Sequence, residues 1–84
     1  MATRESIRQV VVEAVHGVAP EADFSGVDVA RSLREQLDLD SFDWLNVLIA
    51  LHGALGVEVA EADYGKVDTL DALVGYLAQR LGVA

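Results

Sequence analysis

The sequence contains no cysteine. That excludes a disulfide framework, a thiolate metal site and a cysteine nucleophile. Any thioester chemistry on this chain needs a thiol brought in from outside. Basic residues are scarce, with six Lys and Arg against fourteen Asp and Glu, for a formal net charge of −8. Nucleic-acid binding depends on cationic neutralisation of phosphates, so it is disfavoured. Partners with basic patches are favoured through long-range steering, and the same charge keeps a small hydrophobic chain dissolved. Aromatic residues make up 6%, namely Phe24, Phe42, Trp44, Tyr64 and Tyr76, so the position of each one matters. No apolar run approaches the roughly 18 residues that mark a membrane span. Residues 1–5 lack the apolar core of an export signal, so a cytoplasmic location is expected.

The chain does have enough apolar residues, 52%, for a globular fold rather than disorder. Its length corresponds to one domain, residues 1–84. A chain this short buries only about 60–65% of its unfolded surface, so each large apolar residue weighs heavily. Ile7, Val10, Val11, Ala14, Val15 and Val18 recur at helical spacing and predict a first helix over residues 3–18. Thr3 and Ser6 are both suitable caps, and Gly17 and Pro20 mark the end. The many valines are poor helix formers, so packing must hold this segment. Residues 19–40 form a long polar connection with apolar anchors at Phe24, Val27, Val29, Leu33, Leu37 and Leu39. It is either a short helix over 29–36 capped by Asp28, or an irregular loop pinned by its leucines.

Residues 41–55 predict the central helix, capped by Asp40 or Ser41 and closed by Gly56 in the left-handed region. At about 100° per residue its apolar residues fall on two faces. Trp44, Val47, Leu48, Leu51 and Leu55 form one stripe, and Phe42, Leu45 and Ile49 a second, roughly opposite. One stripe suffices to pack a surface helix on a core, so the second needs a further layer or a partner. Val57-Glu58-Val59 reads as an extended connector with its valines inward. Residues 61–65 read as one helical turn anchored by Tyr64. Asp68 or Thr69 caps a last helix lined by Leu70, Leu73, Val74, Leu77 and Leu81, with Arg80 near its negative end. Three amphipathic helices, one short helix and a long first loop can bury their stripes only against each other, which is an all-α class.

No catalytic constellation stands out. His16 and His52 have no second histidine, cysteine or acid at ligand spacing, so no metal site is expected. Asp38 and Asp40 share a segment, but exposure and capping suit them better than acid–base work. Ser41 has no Gly-x-Ser-x-Gly elbow around it. What Ser41 does have is a helix start, where free N–H groups and the positive end of the dipole favour an attached phosphate. The plainer role for Ser41 is a cap alone.

Leu37-Asp38-Leu39-Asp40-Ser41-Phe42 resembles the Asp-Ser-Leu signature of acyl carrier proteins, and the order of helices extends that resemblance over nearly the whole chain. The resemblance implies a four-helix bundle of the acyl-carrier kind. It implies that the Ser41 oxygen carries 4′-phosphopantetheine, moved from coenzyme A by a phosphopantetheinyl transferase, and that Asp40 helps engage that enzyme. The arm's thiol then holds an acyl group, so the protein is acted on by acyl-loading and acyl-processing enzymes and is not itself an enzyme. A monomer is expected.

Phe42 stands where the family usually has Leu, and it keeps a large apolar group there. Asp43 is retained, while Asn46, His52 and Gly53 replace carboxylates that fatty-acid-synthesis carriers commonly display. Asp38 stands at the usual Gly. The departures suggest a specialised standalone carrier in fatty acid, lipid or secondary-metabolite biosynthesis. Phe42, Asp43, Leu45, Asn46 and Ile49 are the candidate docking face, and the rival is that residues 19–40 cover them. Trp44, Leu48 and Leu51 are the candidate acyl pocket, which an indole at Trp44 would shorten, or they are ordinary core. An unmodified interaction module of the same fold is the alternative function.

Overall fold

The computed structural model describes residues 2–83. It holds four α-helices, α1 (Arg4–Val18), α2 (Leu33–Gln36), α3 (Ser41–Leu55) and α4 (Leu70–Arg80), with a 3₁₀ segment at Glu61–Lys66 before α4. Among the described residues there is no strand, only an isolated antiparallel bridge between Ser32 and Thr69. The architecture is an all-α bundle in which α1 packs against both α3 and α4.

Each long helix starts where its capping chemistry places it. Thr3 and Ser6 act together on α1. The Ser6 N–H donates to Thr3 Oγ1 at 3.1 Å, and the Thr3 N–H donates to Ser6 Oγ at 2.8 Å. This reciprocal box satisfies two N–H groups that the helix itself cannot. Thr69, not Asp68, caps α4 by accepting the Ala72 N–H at 3.0 Å. Asp68 instead accepts the Ser32 hydroxyl at 3.1 Å, across the bundle.

The core gathers Ile7, Val11 and Val15 of α1, Trp44, Val47, Leu48 and Leu51 of α3, and Leu70, Leu73, Val74 and Leu77 of α4. Val57 and Val59 turn inward from the connector and are also buried. Tyr64 packs partly buried on this core, and its 3₁₀ segment runs to Lys66, slightly beyond the expected turn.

The connection from Ala19 to α3 corrects one expectation. Asp28 caps no helix over residues 29–36. Its Oδ1 accepts the Ala30 N–H at 3.0 Å, a local turn that competes with helix. The helix that forms, α2, is one turn long and is capped by Ser32, whose Oγ accepts the Glu35 N–H at 3.3 Å. The Gln36 amide bonds the carbonyls of Asp28, Arg31 and Ser32 and holds the preceding turn in place. The segment is then tied to α4, with the Leu33 N–H on the Asp68 carbonyl and the Asp71 N–H on that of Val29. At its start, the His16 Nε2–H donates to the Ala22 carbonyl at 2.8 Å, and the His16 ring meets Phe24 edge-on.

Candidate functional site

Three short steps deliver the chain to Ser41. First, Leu33 is fully buried and fixes α2 against the core. Second, α2 ends in a Schellman motif. The Leu39 N–H donates to the Arg34 carbonyl and the Asp38 N–H to that of Glu35. Asp38 adopts φ 57°, a left-handed conformation that glycine takes more easily and that Asp tolerates better than most residues. α4 closes with the same motif and does use glycine, Gly82, at φ 73°. Third, Leu39 is buried after the turn, which leaves Asp40 extended at the head of α3.

Asp40, not Ser41, is the N-cap. Its Oδ1 accepts the Asp43 N–H at 2.7 Å. Ser41 is the first residue of the helix and is exposed. Its hydroxyl is therefore not consumed by capping. Its one side-chain partner is Arg34, whose Nη2 donates to Ser41 Oγ at 3.1 Å. The result is a primary hydroxyl on the surface, at the N-terminus of a 15-residue helix, facing a guanidinium. That setting accommodates an anionic phosphoester through the helix dipole and the neighbouring cation. Among the described residues no carboxylate or imidazole hydrogen-bonds the hydroxyl.

Beside Ser41 lies a cleft of about 430 Å³ lined by Arg34, Ser41, Trp44, Leu45, Tyr64, Gly65 and Asp68. Of the candidate pocket residues only Trp44 lines it, and Trp44 is otherwise buried, with 4% of its surface exposed. Leu48 lines a separate, shallower recess of about 90 Å³ with Leu45, Ile49, His52, Glu58, Val59 and Tyr64. Leu51 is fully buried in the core and lines neither. The three share neither of these two recesses.

The second stripe of α3 is open. Phe42, Ile49 and Leu45 have 71%, 59% and 41% of their surface exposed. The 19–40 connection does not cover them. Asp43 and Asn46 flank them half-buried. Arg34, Tyr64, Gly65 and Asp68 join the site only through the fold. No local pattern marks them, since they meet Ser41 only once α2 and the 3₁₀ segment are packed. Among the described residues no cluster of His, Cys, Asp or Glu is able to hold a metal, and no helix is long and apolar enough to cross a membrane.

The family described as a phosphopantetheine attachment site matches residues 5–77, from the first turn of α1 into α4. The chain belongs to the acyl carrier protein family. It is 31% identical over 81 residues to an acyl carrier protein of Rubrobacter xylanophilus, covering 90% of this chain and 93% of that one. It is 30% identical over 82 residues to that of Thermotoga maritima, covering 98% and 100%. It is 32% identical over 73 residues to that of Campylobacter hominis, covering 87% and 86%. This acyl carrier protein family member is a carrier and not an enzyme, and its cofactor is covalently bound 4′-phosphopantetheine.

Proposed function

We propose that Ser41 is the attachment point of the arm, and that residues 1–84 work as one standalone carrier domain. The observation that carries this reading is the division of labour at the head of α3. Asp40 takes the capping duty, and Ser41 keeps an exposed hydroxyl with no structural role in the helix. When bound, the arm supplies a thiol that holds an acyl group as a thioester. The chain's own residues present and orient it. Ser41 gives the oxygen, Asp40 fixes the turn on which that oxygen sits, and Trp44 and Tyr64 line the cleft beside it.

The reading includes a specialised role in fatty acid, lipid or secondary-metabolite biosynthesis, as a cytoplasmic monomer served by a phosphopantetheinyl transferase and by acyl-loading and acyl-processing enzymes. Two features support specialisation. Asn46, His52 and Gly53 leave α3 with Asp43 as its acidic residue, so its outer face is unusually apolar for a chain of net charge −8. Trp44 also restricts the space next to the arm. The exposed Phe42–Leu45–Ile49 strip beside Ser41 supports docking there, flanked by Asp43 and Asn46.

Incubation with coenzyme A and a broad-specificity transferase tests the assignment. Intact mass should rise by about 340 Da, the mass of the covalent group. Ser41→Ala should abolish the rise. An unmodified wild-type chain would favour the interaction-module alternative.

A further inference from the structure

Arg34 is a cation without a carboxylate. Among the described residues the ion pairs join Asp63 to Lys66 and to Arg80, and none involves Arg34. Arg4, Arg8 and Arg31 share that lack of an ion pair, so what sets Arg34 apart is its place beside Ser41, with Asp38, Asp40 and Asp43 close by in sequence and none of them paired to it. Asp68 lines the same cleft, but its Oδ1 accepts the Ser32 hydroxyl. Arg34 reaches instead to Ser41 Oγ through Nη2. Its Nε is buried and has no hydrogen-bond partner. Nε and Nη2 form one edge of the guanidinium, the edge that grips the two oxygens of an oxyanion side by side. A buried N–H left without an acceptor opposes folding, so such an orphan calls for an explanation.

We propose that Arg34 is the ligand of the phosphodiester formed at Ser41, and that it pins the root of the arm at the mouth of the Trp44–Tyr64 cleft. This rests on Ser41 being the attachment point. The phosphorus bonds to the oxygen that Arg34 already touches. Its non-bridging oxygens would be the acceptors for that guanidinium edge. The phosphodiester carries one negative charge, opposite in sign to the guanidinium. The fork has a geometry that an ammonium lacks, so lysine replaces it only in part. The pinned arm starts along the surface of the protein, beside Tyr64 and Gly65, and a partner enzyme must break this contact to draw it out.

The experiment compares apo and holo forms of wild type, Arg34→Met and Arg34→Lys, with loading read by intact mass and stability by thermal melting. In wild type, loading should raise Tm by roughly 2–6 °C, the shift one partly exposed charge-assisted contact gives in a domain of this size. In Arg34→Met the increment should vanish, and in Arg34→Lys it should fall to a fraction. Equal increments in all three fully loaded proteins would overturn the proposal while leaving Ser41 in place. A wild-type chain that gains no mass would overturn the Ser41 assignment itself. If Arg34→Met does not fold, the wild type alone still decides by NMR. The Arg34 Nε–H resonance should move downfield on loading and show coupling to phosphorus, whereas unchanged Arg34 side-chain shifts would refute the contact.

Discussion

Asp40→Ala and Ser41→Ala should have different consequences for stability, because only Asp40 caps α3. The Asp40 carboxylate accepts the Asp43 N–H at 2.7 Å and sits at the positive end of α3. Losing an N-cap costs about 1 kcal/mol, within a range of about 0.5–2. The charge–dipole attraction adds roughly 0.3–1 kcal/mol. The two overlap, because the same oxygen does both. Removing one of fourteen acids also relieves some repulsion in a chain of net charge −8. A net loss of about 1–1.5 kcal/mol follows, or a Tm drop of roughly 4–12 °C for a domain this small. Asp40→Asn keeps the acceptor and should lose less than half of that. Ser41→Ala removes only an exposed hydroxyl and its contact with Arg34, so it should stay within about 0.5 kcal/mol. Urea titration followed by helical circular dichroism measures all three. A Ser41→Ala loss equal to or larger than that of Asp40→Ala would refute the division of labour at this helix start.

Ile49→Ala should change stability by no more than about 0.5 kcal/mol, since the side chain is 59% exposed, while acyl transfer from a partner enzyme slows. A stability loss of roughly 2–5 kcal/mol would show a buried role instead, and transfer should weaken only modestly with added salt. Trp44→Ala should cost about 3–5 kcal/mol because the indole is almost wholly buried. In the intact protein Trp44 fluorescence should stay nearly constant as the loaded acyl chain lengthens, and graded shifts would argue that chains thread past it. Asp63 accepts the Tyr76 hydroxyl at 3.0 Å and pairs with Lys66, and these hold its carboxyl below the ordinary carboxylate range. Its contribution is therefore full above the unfolded carboxylate pKa and fades as pH falls through the lower folded one. Wild type should thus exceed Tyr76→Phe in stability at neutral pH and converge with it in acid, and a pH-independent gap in urea midpoints would contradict this.

The parts of the structure legible in the sequence are those set by neighbours along the chain. Residues 41–55 read as a helix because Asp40 or Ser41 offers a cap, Gly56 tolerates φ 70°, and no Gly or Pro interrupts the run before Gly53 in its last turn. Thr3, Ser6 and Thr69 were legible as caps for the same reason. The two stripes of α3 followed from its period, and exposure of the second depended on where residues 19–40 went. That route was not legible. It is set by the bridge from Ser32 to Thr69 and by the Leu33–Asp68 hydrogen bond, which join segments far apart in sequence. Asp38 hid a helix stop, because the left-handed turn it makes is normally signalled by glycine. Arg34 gave no sign of its position. Seven residues before Ser41, it meets that hydroxyl only because α2 and the Schellman turn fold it back.

The most direct test of the account is site localisation of the arm. The chain is loaded from coenzyme A, digested, and sequenced by tandem mass spectrometry. The whole phosphopantetheine mass should lie on the peptide containing Ser41, with Ser6, Ser25 and Ser32 unmodified. Phosphopantetheine on any of those three serines, or its persistence in Ser41→Ala, would contradict it.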